Sequence, residues 1–172
     1  MSEQLFMDVP VMVAPGVLVP RPETELLGQT ARRQLEAVRS QPPLVVDMCC
    51  GSGNLACALA VAAPRARVWA CDLTDACVSL AQRNAQHLGL ADRVTVLQGD
   101  LFAPLDPGLQ GAIDLVVCNP PYISSGRLAR DRAELLVNEP REAFDGGPFG
   151  ISIQQRVVRQ AEIGRASCRE RV

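Results

Sequence analysis

Leu44-Val45-Val46-Asp47-Met48-Cys49-Cys50-Gly51-Ser52-Gly53-Asn54 is the stretch on which the fold turns. Leu44–Cys49 is a continuous apolar run broken only by Asp47, the pattern of a strand buried on both faces of a parallel sheet. Gly51 and Gly53 supply a turn in which backbone can pass close to a ligand. Asn54–Ala63 then has the length and composition of a helix. The same alternation continues toward the C-terminus. Arg67–Cys71 reads as a second strand, and Thr74–Leu88 as a helix with Thr74 at its N-cap. Arg93–Gln98 reads as a third strand, and Ile113–Cys118 as a fourth. Strand-helix-strand alternation predicts an α/β domain with a parallel sheet and right-handed crossovers. Toward the N-terminus, Pro22 suits the first turn of a helix, with Glu23 and Glu25 at the positive end of its dipole. That helix runs to about Ser40 and is ended by Gln41-Pro42-Pro43. Residues 9–20, punctuated by Pro10, Pro15, Gly16 and Pro20, read as extended segments joined by a turn, in the manner of a hairpin.

The chain has 172 residues, of which 48% are hydrophobic and 3% aromatic, so the core rests on aliphatic side chains within a single domain. A formal net charge of -2 argues against a stand-alone nucleic-acid binder, which usually shows a basic face. The seven cysteines include no C-x-x-C pair, which argues against a zinc ribbon. They read as free, mostly buried thiols in a reducing compartment. No signal-peptide pattern and no apolar run of bilayer length are present, so a cytoplasmic protein with no membrane contact and no bound metal is expected. The chain divides into a lead-in over residues 1–40, a main domain over 41–162 and a tail over 163–172. The tail reads as a translated sequencing adapter and is set apart from the fold.

The glycine turn lies at the carboxyl edge of the predicted sheet, where open α/β sheets bind their ligands. Asp72, 19 residues after Gly53, closes the second strand at a spacing that suits an acid accepting hydrogen bonds from a ribose diol. Asp100, after the third strand, is placed to reach an adenine amino group. Alone, these features fit a nicotinamide dinucleotide and S-adenosylmethionine equally, and an aspartate at a strand end is also a common helix cap.

Asn119-Pro120-Pro121-Tyr122 directly follows the fourth strand, on the same edge. An amide or arylamine nitrogen is a poor nucleophile because its lone pair is delocalised. Two acceptors against its N–H groups, the Asn119 side-chain oxygen and the Pro120 carbonyl, can hold it and aim the lone pair at a sulfonium methyl. The prolines stiffen the turn, and Tyr122 can pack on a flat substrate group. Positioning and stabilisation of developing charge would supply the rate. These residues equally suit an amino group on a DNA or RNA base.

Three segments resemble the glutamine N5-methyltransferases that modify peptide chain release factors, the HemK/PrmC family. They are Val17-Leu18-Val19-Pro20-Arg21-Pro22-Glu23-Thr24-Glu25-Leu26-Leu27, Asn119–Tyr122 followed by Ile123, and Glu139-Pro140-Arg141-Glu142-Ala143-Phe144-Asp145-Gly146-Gly147. The resemblance implies a Rossmann-like, class I S-adenosylmethionine-dependent methyltransferase with helices on both faces of the sheet and its C-terminal strands missing. The implied substrate is the glutamine of the Gly-Gly-Gln motif of release factors. The resemblance puts cofactor contacts along the turn Cys49-Cys50-Gly51-Ser52-Gly53 and at Asp72, Leu101 and Asn119. It puts substrate contacts at Asn119, Pro120, Pro121 and Tyr122, with Arg21 and Glu23 near the substrate entrance or bracing the site. Cys49 stands where the family usually has glycine, and Leu101 where an aromatic often packs. The remaining alternative of another class is a non-catalytic cofactor-binding fragment.

Overall fold

The structure is a computed structural model that describes residues 2–131, 136 and 139–166. Four parallel strands, β3 (Leu44–Met48), β4 (Arg67–Asp72), β5 (Val94–Gln98) and β6 (Leu115–Cys118), form one sheet in the order β5-β4-β3-β6. An antiparallel pair, β1 (Ser2–Phe6) and β2 (Val9–Val13), precedes them. The helices are α1 (Pro22–Ala37), α2 (Asn54–Ala62), α3 (Asp75–His87), α4 (Ser125–Asp131) and α5 (Ser152–Ala166).

Period-2 alternation along β3 sorts the core into two layers. Val45 faces Ala31 and Leu35 of α1, Leu55 to Ala60 of α2, and Ala81 and Ala85 of α3. Phe6, Val9 and Val11 of the hairpin cap the same layer. Val46 and Met48 face the opposite way, onto Cys71, Leu101 and the α5 residues Ile153 and Val157. Helices therefore cover both faces, as the buried apolar strands require. Thr74 caps α3 as its sequence predicts, its hydroxyl accepting from the Cys77 N–H at 3.3 Å.

The hairpin is displaced from its expected place. It spans Ser2–Val13, not residues 9–20, and turns at Met7-Asp8, whose φ values of 49° and 64° give the doubly left-handed turn that matches strand twist. Neither residue is glycine or asparagine, so the turn carries no composition signal. Pro10 is exposed within β2, where an edge strand tolerates it. The pause at Pro15-Gly16 is a turn after the hairpin, with Gly16 at φ 83°. α5 continues through Ala166, past the expected boundary at residue 162, while residues 167–172 of the adapter-like tail lie outside the described residues.

Candidate functional site

Register brings the site together. Met48 at the end of β3 lies opposite Cys71 on β4 and Cys118 on β6. The loops that leave these three strands therefore start side by side at the carboxyl edge. Between them is a cavity of about 360 Å³, lined by Cys49, Gly51, Asp72, Asp100, Leu101, Asn119 and Pro121, with Leu18 and the Pro140–Ala143 segment closing its sides. Its size suits a small-molecule ligand.

The five residues of the turn divide by role. Gly51, at φ 56°, has no atom within 4 Å of where a Cβ would stand, so its backbone faces open space. Cys49 is also left-handed, at φ 60°, unusual for a side-chain-bearing residue. Cys50 is turned inward: its N–H donates to the Cys71 carbonyl at 3.0 Å, and burial pushes its thiol well above the usual range. Ser52 is fully buried. Gly53, at φ 74°, backs onto α3, where a Cβ would meet that of Ala81 at 3.0 Å. Gly51 and Cys49 thus line the cavity, and Cys50, Ser52 and Gly53 support them from behind.

Asp72 joins this turn to the next strand. Its Oδ2 accepts from the Gly51 N–H at 2.9 Å and its Oδ1 from the Thr74 N–H at 3.1 Å. Oδ1 also accepts from the Thr74 hydroxyl at 3.4 Å, so Oδ2 is the oxygen that keeps a further lone pair for a ligand hydroxyl. Leu101 is buried on the cavity wall with φ 51°. Asp100 lines the rim but is exposed and ion-paired with Arg156 of α5.

Asn119 and Pro121 face the cavity, whereas Tyr122 stands outside it, 65% exposed. The Glu139–Gly147 segment straps this loop from behind. Ile123 N–H donates to the Phe144 carbonyl at 2.9 Å, and Gly146 N–H to the Ile123 carbonyl at 2.8 Å. Asp145 holds the strap: it accepts from the Ser125 hydroxyl at 2.6 Å, the Gly147 N–H at 3.0 Å and the Arg141 Nε at 2.9 Å. These bonds, the Ser125 hydroxyl foremost, hold its carboxyl below the usual range. Arg21 does not line the cavity. It pairs with Glu139, whose other oxygen accepts from the Val19 N–H at 2.9 Å, so the pair fastens the lead-in segment to the strap. Glu23 is exposed in the first turn of α1.

Two residues that matter here were not singled out in the sequence. Asn84 is fully buried in α3. The helix presents Cys77, Leu80, Ala81, Asn84 and Ala85 to the core, so a polar residue on that apolar stripe was the available signal. Asp47 is fully buried beneath the turn. Its Oδ2 accepts from the Ala56 N–H at 3.0 Å, and its Oδ1 has no partner among the described residues. Burial pushes its carboxyl up to about 7, against an ordinary value near 4. Because the folded value exceeds the unfolded one, stability is greatest below about pH 4 for this group and is lost as pH rises toward 7. Asp47→Asn is expected to flatten that part of the stability profile, as read by thermal melts from pH 4 to 8.

A larger groove, about 910 Å³, runs along the outer edge of β6, between α1 and α5. It is lined mostly by aliphatic side chains and contains neither Asp72 nor Asn119. The smaller cavity is the better candidate because polar groups from three loops converge there. Among the described residues, no group of three or more His, Cys, Asp or Glu side chains could hold a metal ion. Nor is any helix among them long and apolar enough to cross a membrane.

The family model for the methyltransferase small domain matches residues 24–163. The release factor glutamine methyltransferase of Moorella thermoacetica is 45% identical over 150 residues, covering 87% of this chain and 51% of that protein. The enzyme of the same description from Mycolicibacterium smegmatis is 43% identical, over 85% of this chain and 49% of that protein. A 4-amino-L-phenylalanine/4-methylamino-L-phenylalanine methyltransferase of Streptomyces pristinaespiralis is 40% identical, over 87% and 50%. The chain thus spans about half the length of the curated relatives it matches. Among solved structures, the human METTL16 catalytic domain in complex with MAT2A 3′UTR hairpin 6 superposes with a TM-score of 0.64 at 14% identity, over 91% of this chain and 58% of that one. The T. thermophilus 16S rRNA N2 G1207 methyltransferase, in complex with AdoMet and guanosine, gives 0.58 at 24% identity, over 72% and 33%. The resemblance read from the sequence therefore extends over most of the chain, and the sheet is that of the S-adenosylmethionine-dependent methyltransferases. The chain belongs to the methyltransferase small domain family.

Proposed function

We propose that this chain transfers a methyl group from S-adenosylmethionine to the side-chain amide nitrogen of a protein glutamine, that of the Gly-Gly-Gln motif of peptide chain release factors. The observation that carries the reading is the shared cavity, in which Gly51 and Asp72 face Asn119 and Pro121. Residues 41–162 form the methyl-transfer domain, and residues 1–40 are a lead-in packed onto it. Release factors act at the ribosome, which places the work in the cytoplasm.

The residues present fit the cofactor. Asp72 Oδ2 keeps a lone pair for a ribose hydroxyl, Gly51 leaves open space beside it, and Leu101 gives an apolar wall for an adenine ring. When bound, S-adenosylmethionine supplies a methyl carbon already activated by the positive sulfur. The chain's task is therefore to place the nitrogen. The Asn119 side-chain oxygen and the Pro120 carbonyl accept from its two N–H groups, weakening conjugation with the amide carbonyl and directing the lone pair outward. The methylated nitrogen is positively charged and strongly acidic, and releases its extra proton to water. Tyr122, exposed beside the cavity, offers a ring to the flat amide.

Asp72→Ala is expected to weaken binding of S-adenosylhomocysteine about 30-fold in calorimetry, through loss of a charge-assisted hydrogen bond to the ribose and of the carboxylate that holds the Gly51 N–H. The test of the whole reading uses labelled S-adenosylmethionine with a release factor, with DNA and with RNA in separate reactions. Label is expected on the release factor. Label on nucleic acid alone would replace the glutamine by a base amino group, and cofactor binding with no transfer would favour a cofactor-binding module.

A further inference from the structure

The hairpin and the glycine turn are far apart in sequence, yet one side chain touches both. Asn84 Oδ1 accepts from the Met12 N–H at 2.7 Å, and its Nδ2 donates to the Met12 carbonyl at 3.1 Å. The same Nδ2 donates to the Ser52 carbonyl at 2.8 Å. All three bonds lie around a fully buried side chain, so each replaces water that cannot reach it. Both N–H groups and the oxygen of the amide are used. The Met12 backbone polar groups point away from β1 and would otherwise be unpaired on the hairpin's outer edge.

The two anchored backbones both lead to the lining of the cavity. Ser52 is next to Gly51, whose backbone faces the cavity. Beyond Met12, the chain runs through Val17, packed on Cys77 and Leu80 of α3, to Leu18, which also lines the cavity. The hairpin is seated independently at its far end. Gln4 Nε2 donates to the Pro20 carbonyl at 2.9 Å, and the Met7 N–H to Glu25 Oε1 at 3.1 Å. Gly28 leaves a notch for the Met7 sulfur, which a Cβ there would strike.

We propose that Asn84 is a positioning residue that sets the width of the cofactor cavity, by holding the hairpin's exit strand and the glycine turn in fixed register. It touches neither ligand nor reacting atoms. Movement of the hairpin is thereby transmitted to the turn. This inference rests on the reading of that cavity as the cofactor site.

The test measures S-adenosylhomocysteine affinity by calorimetry, well below each variant's melting temperature. Asn84→Ala removes all three of its hydrogen bonds to Met12 and Ser52, and the loosened turn is expected to bind about tenfold more weakly. Met12→Pro removes the N–H that donates to Asn84 together with the side chain that packs on Val17, Cys77 and Leu80, so Met12→Leu, which keeps the N–H, is its control and is expected to bind normally. Met12→Pro is expected to weaken binding in the same direction as Asn84→Ala, and the double variant to be no weaker than Asn84→Ala alone. Leu59→Ala, in the buried core of α2 outside the cavity, lowers the melting temperature without changing affinity. An unchanged affinity in Asn84→Ala overturns the proposal. Should that variant not fold, an unchanged affinity in Met12→Pro does so. Additive losses in the double variant would sever the hairpin from the effect. Absence of binding by the unaltered protein would instead remove the cofactor reading itself.

Discussion

Asn119→Ala is expected to lower methyl transfer by about a thousandfold while S-adenosylhomocysteine still binds within a few-fold of the unaltered protein. Under the proposed mechanism the Asn119 amide oxygen is one of two acceptors that hold the target nitrogen. The second, the Pro120 carbonyl, belongs to the backbone and survives every substitution at 119. What disappears is therefore the alignment of the nitrogen. Cofactor affinity rests on other groups, since Asp72 and the Gly51 backbone come from different strand ends. Rapid-quench transfer assays set beside calorimetry separate the two effects. Transfer within tenfold of normal would remove Asn119 from the reaction.

The second large effect is expected at a residue that touches no ligand. Gly150 has φ 75°, and a Cβ there would stand 2.5 Å from the Tyr122 carbonyl oxygen and 3.0 Å from the Ser124 nitrogen. Both neighbours are backbone, so Gly150→Ala must push the loop that carries Asn119–Tyr122. A displacement of about 1 Å at a reacting centre costs on the order of a hundredfold in rate. Gly150→Ala is accordingly expected to reduce kcat about a hundredfold with cofactor affinity retained. Gly89 is the control. It is also left-handed, at φ 66°, but nothing lies within 4 Å of its Cβ position. Gly89→Ala meets only backbone strain, about 1 kcal/mol of stability, and should leave kcat alone. Equal losses of kcat in both variants would show that strain, not contact with the loop, is responsible.

The sheet was legible because each strand is a short run of Val, Leu, Ala and Cys bounded by turn residues, and buried parallel strands need nothing more. Strand ends agree with the sequence reading to within a residue or two. The carboxyl-edge location of Asp72 and Asn119 was legible for the same reason: strand order fixes where loops emerge. The hairpin was misplaced because Met7 and Asp8 adopt a left-handed turn with no glycine to announce it. Which turn residues face the cavity could not be read at all. Cys49 and Cys50 are adjacent and chemically alike, yet the left-handed backbone at Cys49 leaves one on the cavity wall and buries the other. Arg21 shows a further limit. Its position in the Pro20–Glu25 string suggests a place at the substrate entrance or a brace for the site, but does not name its partner, Glu139, 118 residues away in sequence. Such a tie depends on tertiary packing alone. Asn84 was hidden differently: asparagine in a helix usually faces solvent, and only its place on the apolar stripe distinguished it.

The central claim, that the amide nitrogen of a release-factor glutamine receives the methyl group, is tested most directly by locating the product. A release factor treated with the protein and S-adenosylmethionine is digested, and the peptide containing Gly-Gly-Gln is fragmented in a mass spectrometer. The account predicts one added methyl on the glutamine side chain, absent when that glutamine is replaced by alanine. A methyl group found on another residue, or found only on a nucleic-acid base in a parallel reaction, would contradict it.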